Sequence, residues 1–461
     1  DGIRDCLLSR GLGDVYKRQP LNWRLSIPEL EYIVGDAGPD VIIHDDQFAD
    51  NATKLAELCD IAHRITWGPS IGDAASYEEV LATHSPLLES EDCTHDDILT
   101  IMYTSGTTGP AKGVVMPQGH CYLFALGTIA AMELTSNDRY FCCMPLFHAN
   151  GLFMQAYASL LSGASCHVTK RFSVTDWLSI VREEQITVTN ALGVMPEFIY
   201  RSPESALDQD HALTRILAIP VAEEWGDAME NRFGVKLRQG FGMTEVNMVA
   251  YSDLDDGVLA GCAGPVLTDF FEVIIADPET DIELPCDHVG EILVRPKVPF
   301  CFNVGYFKMP EKTVEAWRNL WFHTGDAGRI DSDGRLFFVD RINDRIRRRG
   351  ENISSYELEQ ALNEHPAVTE SAAVGLRVDG AGGEDEIKAV LAINGPAPDP
   401  VDFLDWCVPR MPRHTVPRYL EFVAELDKTA SGKIRKQAIR EAGVTPDTWD
   451  RESANYKLRR Q

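Results

Sequence analysis

Between Tyr103 and Gly113 the chain reads YTSGTTGPAKG, a density of hydroxyls, glycines and one cation that suits a polyphosphate. Thr104, Ser105, Thr107 and Thr108 offer hydroxyl donors. Gly106, Gly109 and Gly113 let backbone N–H groups come close, and Lys112 supplies positive charge. Counted from Gly106, the common P-loop needs glycine where Ala111 stands and Ser or Thr where Gly113 stands, so this loop is of another kind. The apolar run from Asp96 to Tyr103 reads as a short buried strand feeding it.

Four later stretches could serve the same ligand. In QGFGMTE, Gly240 and Gly242 flank Phe241, whose ring face could meet a planar base, while Thr244 could donate to a phosphate and Glu245 could bind a hard cation. WFHTGD ends on Asp326, a carboxylate able to accept two vicinal ribose hydroxyls. DRINDRIRRRGENI, from Asp340 to Ile353, gathers five arginines between Arg341 and Arg349. In a chain of net charge −28 such a run can steer phosphates, or simply be solvated. DKTASGKI sets Lys433 on a glycine turn near the end. MPLFHANG adds His148 at a strand end, where a lone histidine more often packs than reacts.

Taken in order, these stretches resemble the AMP-forming adenylating enzymes, the superfamily of acyl-CoA synthetases, luciferases and peptide-synthetase adenylation domains, from Pro20 to about Arg440. RRRGENISSYELE, and the lack of a small-residue turn in Arg215–Pro220, look most like crotonobetaine/carnitine-CoA ligase-like members. The resemblance implies ATP-dependent activation of a carboxylic acid to an acyl-adenylate, then thioester formation with coenzyme A. Mg²⁺ is the implied cofactor, and ATP and coenzyme A are the implied co-substrates. It assigns Thr104, Ser105, Gly106, Thr107, Thr108 and Lys112 to the phosphates. Gly240 and Phe241 go to adenine, Thr244 to the α-phosphate, Glu245 to Mg²⁺, and Asp326 and Arg341 to the ribose. Gly350 goes to the coenzyme A tunnel, Lys433 to catalysis, and His148 and Asn190–Pro196 to the acyl site. Four positions depart from the family pattern: Phe241 replaces tyrosine, Asn343 a charged hinge residue, Arg349 a glycine and Asp427 a proline. The alternatives are transfer to a carrier protein, a silent ATP-binding protein, and a gene fragment that does not fold.

The supporting elements follow from composition and pattern. At 461 residues, 44% hydrophobic and 25% charged, the chain suits two or three soluble domains. Its acidity argues against nucleic acid as a partner, no apolar run reaches membrane-spanning length, and a homo-oligomer is compatible. Eleven cysteines without a paired CxxC spacing suit reduced thiols in a cytoplasm.

Residues 1–19 lack apolar periodicity, and DVYKRQ resembles the translation of a transposase adaptor used in sequencing libraries. A non-native or disordered tail is expected there, with part of the large domain missing before Pro20. Helices are predicted from Ser26 to Gly35, Gly119 to Leu134, Ser173 onward, Ser355 to Glu364 and Val401 to Trp406. Strands are predicted at Asp40–Asp45, Arg139–Met144, Ile186–Thr189 and Arg215–Ile219. β-rich texture follows at Phe271–Ala276, Gly290–Val294 and Arg335–Val339. The expected fold is α/β: a large N-terminal domain (20–342) of helix-covered, mostly parallel sheets with a β-rich subdomain, and a small mobile α+β lid (343–461).

Overall fold

The computed structural model describes residues 20–83, 93–104, 111–193, 195–219, 221, 225–254, 256–259, 261–344, 346–348, 351–377, 385–428 and 434–457. They form two compact units. The first is built from the described parts of Asp1–Thr104, Ala111–Glu272 and Val294–Phe322, the second from those of Val273–Leu293 and His323–Gln461.

The first unit is organised by a five-stranded sheet in the order Lys236–Arg238, Arg215–Ile219, Val188–Leu192, Arg139–Cys142, Ser165–Val168, parallel throughout. Alternation along each strand divides its side chains between two cores. Tyr140, Val188 and Leu217 join Phe124, Met132, Phe153 and Met248 on one face. Phe141, Ile216 and Ala218 join Trp177, Trp225 and Phe233 on the other. A second parallel sheet pairs Val41–Asp45, His63–Trp67 and Ala75–Ser76.

Several predicted boundaries shift for identifiable reasons. The first helix runs Ile27–Ala37, through Gly35, and ends at Gly38 with φ 60°. A mid-helix glycine costs about 1 kcal/mol, and burial of Leu30, Ile33 and Val34 outweighs that. The helix after the phosphate loop is Gln118–Ala131, and a strand the sequence reading missed, Lys112–Pro117, precedes it. The predicted strand at Ile186–Thr189 lies at Val188–Leu192.

In the second unit Val368–Arg377 pairs antiparallel with Asp385–Ile393, which lies parallel to Tyr419–Val423. Helices Ser355–Asn363 and Pro400–Cys407 cover this sheet through Leu358, Leu362, Phe403 and Leu404.

One polar knot ties the edges of the first unit's parallel strands. Asp138, 7% exposed, accepts from the Thr135 N–H (2.8 Å) and the Thr187 hydroxyl (2.7 Å) and pairs with Arg215 (2.8 Å). Arg215 also donates to the Met132 carbonyl at 2.8 Å. Burial alone would raise the Asp138 carboxyl, but these donors hold it below its usual range. Asp138→Ala strands Arg215 and should cost about 3 kcal/mol, read as a lower urea midpoint with an unchanged slope.

Candidate active site

The phosphate-loop segment is carried on a β-hairpin. Ile98–Thr104 pairs antiparallel with Lys112–Pro117, so Thr104 faces Lys112 and Tyr103 faces Gly113 where the loop leaves and returns. Ser105, Gly106, Thr107 and Thr108 lie outside the described residues, as do Arg349, Gly350 and Lys433. The hairpin's open end is braced by the first helix and its C-cap side, where the Tyr103 hydroxyl bonds Asp36 and the Tyr32 hydroxyl donates to the Ala111 carbonyl at 3.3 Å. Gly113 has a steric job. A Cβ there would stand 2.8 Å from Ile101 Cγ2 and 2.9 Å from Tyr103 Cζ.

Lys112 and Glu245 meet through a residue that no motif flagged. The Lys112 ammonium lies 4.3 Å from the centroid of the Tyr306 ring, and the Tyr306 hydroxyl donates to Glu245 Oε1 at 3.1 Å. Glu245 is 5% exposed and Tyr306 7%. Burial, then the neighbouring carboxylate, pushes the phenol well above its usual range, so it stays a donor. Asn303 clamps the Glu245 backbone, its amide side chain (2.8 Å) and N–H (3.2 Å) both reaching the Glu245 carbonyl.

The glycines of the QGFGMTE segment lie in a strand. Gly240–Met243 pairs with Asn247–Tyr251, with Thr244–Val246 between them. The glycines permit close backbone approach, since a Cβ on Gly242 would stand 2.3 Å from the Asn247 carbonyl. Phe241 is buried. Asn247 takes φ 79°, a region an asparagine tolerates, and its side chain donates to the His120 carbonyl at 2.9 Å.

Behind the turn, His120 is fully buried, with Nε2 2.9 Å from the Thr244 carbonyl and Nδ1 3.2 Å from that of Cys301. Asn247 Nδ2 is 3.3 Å from Nδ1. Burial pushes the imidazole down to about 4. The tautomer with hydrogen on Nε2 donates to Thr244 and leaves Nδ1 to accept from Asn247. His120 thereby fixes the backbone of Thr244.

In the second unit Asp326 and Arg341 face each other across the hairpin Phe322–Ile330/Arg335–Arg341, with Arg341 Nε 3.2 Å from Asp326 Oδ1. Asp326 is buried and its N–H bonds Thr324 Oγ1 at 3.1 Å. The strand just before it, with Gly325 at φ 71°, is fixed by Glu291, which accepts from Gly325 N (3.0 Å) and contacts His323 Nδ1 (3.0 Å).

Residues flanking the Lys433 segment are anchored on both sides. Lys428 pairs with Glu370 at 2.7 Å, and Lys436 with Glu359 and the Ser355 hydroxyl at 2.8 Å each. Burial pushes the Glu359 carboxyl up to about 7 against the pull of Lys436. Arg440 bonds Asp344, and Asp340 caps the helix at Ser355 by accepting its N–H at 2.6 Å.

His148 sits in the turn before Asn150–Tyr157, where Nδ1 accepts from the Asn150 N–H at 3.2 Å. Lys112, Thr244, Glu245, Gly240 and Phe241 thus belong to one unit, and Asp326 and Arg341 to the other. Sequence reasoning missed Tyr306, Asn303 and His120. Their sequence neighbourhoods carry no glycine or hydroxyl clustering, so only a buried tyrosine or histidine signal was present, and that is indistinguishable from core.

The family described as AMP-binding enzyme matches residues 18–300, and the AMP-binding enzyme C-terminal domain matches residues 357–433. Feruloyl-CoA synthase of an Amycolatopsis species is 32% identical over 426 residues, covering 91% of this chain and 82% of that protein. Crotonobetaine/carnitine–CoA ligase of Salmonella typhi is 28% identical over 435 residues, covering 91% and 83%. The crystal structure of ATP-bound MatB from Rhodopseudomonas palustris superposes with a TM-score of 0.80 at 26% identity, covering 92% of this chain and 83% of that one.

Two outcomes test the geometry. A histidine whose folded value is depressed from 6.5 to about 4 binds protons more readily when unfolded. Stability should therefore fall as pH drops from 6.5 toward 4, and His120→Gln should show a flatter slope in urea titrations over that window. Tyr306→Phe should cost about 1–2 kcal/mol by leaving buried Glu245 one donor short. In a double-mutant cycle with Glu245→Gln the two losses should fall short of additivity.

Proposed function

The chain belongs to the AMP-binding enzyme family, and from that premise we propose that it is an AMP-forming acid–CoA ligase. It activates a carboxylic acid with ATP and passes the acyl group to coenzyme A. The observation that carries this reading is the Lys112–Tyr306–Glu245 chain beside the Thr244 turn, one cation, one carboxylate and one hydroxyl set on a shared rigid frame. The similarity to feruloyl-CoA synthase and crotonobetaine/carnitine–CoA ligase supports coenzyme A as acceptor over a carrier protein.

In the first half-reaction the substrate carboxylate attacks the α-phosphorus of ATP and pyrophosphate leaves. Lys112 neutralises the departing phosphates, Thr244 donates to the α-phosphate, and Asp326 with Arg341 holds the ribose, so positioning and charge stabilisation do the work. Glu245 fits Mg²⁺ because it is a hard oxygen donor. Among the described residues no group of three ligating side chains gathers anywhere, as suits an ion held mainly by phosphate oxygens and water. Bound there, the ion would neutralise phosphate charge. In the second half-reaction the coenzyme A thiol attacks the acyl carbonyl and AMP leaves.

We assign Lys433 to bridging the carboxylate and α-phosphate, His148 to the acyl site, and the Gly350 segment to coenzyme A, with residues 343–461 acting as a lid that alternates between the two segments. No described helix is long and apolar enough to cross a membrane, and ten described cysteines are free, which supports a reducing compartment such as the cytoplasm.

Acid-dependent ATP–pyrophosphate exchange, run over a carboxylic-acid panel that includes ferulic acid and crotonobetaine, tests the reading, with AMP release measured with and without coenzyme A. Lys433→Ala should lose roughly 10²–10³ in exchange rate. An undiminished rate in that variant would remove the lysine from the mechanism, and no exchange with any acid would remove the ligase assignment.

A further inference from the structure

A buried chain of hydrogen bonds in the first unit runs from the parallel sheet to the turn that carries His148. The Tyr140 hydroxyl donates to Asn190 Oδ1 at 2.6 Å, and Asn190 Nδ2 donates to Asn150 Oδ1 at 3.0 Å. Asn190 is 1% exposed, Asn150 4%, and Tyr140 is fully buried. Amides this deep cost stability unless their polar atoms are met, so each member of the chain depends on the next.

The element that Asn150 opens is itself uncommon. Asn150–Tyr157 is a π-helix, a form that is rare in proteins and frequent at functional sites. The sheet holds it at two points: Asn190 grips Asn150, and Gln155 Nε2 donates to the Phe141 carbonyl at 3.0 Å. Close packing fixes its first turn, since a Cβ on Gly151 would stand 2.4 Å from the Pro145 carbonyl oxygen.

His148 is tied to that first turn. Its N–H donates to the Pro145 carbonyl at 3.0 Å, its carbonyl accepts the Leu152 N–H at 3.0 Å, and its Nδ1 accepts the Asn150 N–H at 3.2 Å. With Nδ1 an acceptor, the neutral ring carries its hydrogen on Nε2. Both the direction of the ring and its tautomer therefore follow from where Asn150 sits.

We propose that Asn190 and Asn150 are positioning residues for the acyl site: Asn190, anchored by Tyr140, holds Asn150, and Asn150 sets the turn that presents His148 to the carboxylic acid. The inference rests on the ligase reading above and on the place given there to His148. It assigns Asn190 an action through His148, with no contact to the acid.

The test uses the full chain and acid-dependent ATP–pyrophosphate exchange with the best acid of the panel, with KM measured separately for the acid and for ATP. Asn190→Leu should raise the acid KM roughly tenfold, and Tyr140→Phe by about threefold, while the ATP KM stays within about twofold. Tyr140→Phe removes one hydroxyl and almost no volume, and it carries the test alone if Asn190→Leu does not fold. Thr189→Val is the control. It deletes a buried hydroxyl on the neighbouring residue, one that donates to the Phe141 carbonyl at 3.0 Å, so it should lower the melting temperature and leave the acid KM unmoved. In a His148→Ala background the Tyr140→Phe and Asn190→Leu effects on acid KM should shrink to within about twofold, the mark of action through the histidine. An acid KM unmoved by Tyr140→Phe and by a folded Asn190→Leu overturns the proposal, as does an equal rise in Thr189→Val or a full effect without His148. Absence of exchange in the wild type with every acid overturns the ligase reading and this inference with it, whereas exchange with an unmoved acid KM overturns this inference alone.

Discussion

A buried carboxylate has to be met by donors or it costs several kcal/mol, and in this protein Glu245 is met by Tyr306. The same tyrosine offers its ring face to Lys112. One side chain therefore serves the anionic residue of one motif and the cationic residue of another, and donation from its hydroxyl to a carboxylate enriches the ring that attracts the ammonium. Asn303, three residues earlier, holds the Glu245 backbone from the other side. The segment around 303–306 is thus the keystone of the first unit's site, although it contains no residue that would touch the chemistry by its type alone.

His120 performs a matching service for Thr244. Being buried and neutral, it can donate through one ring nitrogen and accept through the other, which lets it link the Thr244 carbonyl to Asn247. Asn247 in turn holds a left-handed backbone that closes the hairpin. Thr244 and Glu245 are adjacent in sequence, yet the backbone carbonyl of the one and the carboxylate of the other are each held by a different distant partner.

In the second unit the logic is electrostatic. Asp326 is placed by a strand that Glu291 grips at Gly325 and by the cross-strand arginine. Lys428 and Lys436 are held by buried or half-buried carboxylates on either side of the Lys433 segment.

The sequence by itself determined the chemistry and the class of fold. Hydroxyls, glycines and a cation between Thr104 and Lys112, a Thr–Glu pair at 244–245 and a carboxylate at Asp326 are local features, written in neighbouring residues. The alternation of strands and helices is equally local, because periodicity decides it. Tertiary structure decided what local pattern cannot hold. It put Gly113 against Tyr103 as a matter of space, turned the Gly240–Met243 segment into a hairpin strand, and carried the first helix through Gly35. It also chose Tyr306 and His120, which lie 61 and 124 residues from the partners they fix. A side chain's burial and its hydrogen-bond partner depend on where the chain returns, and that is set by the packing of whole elements, not by the residues beside it.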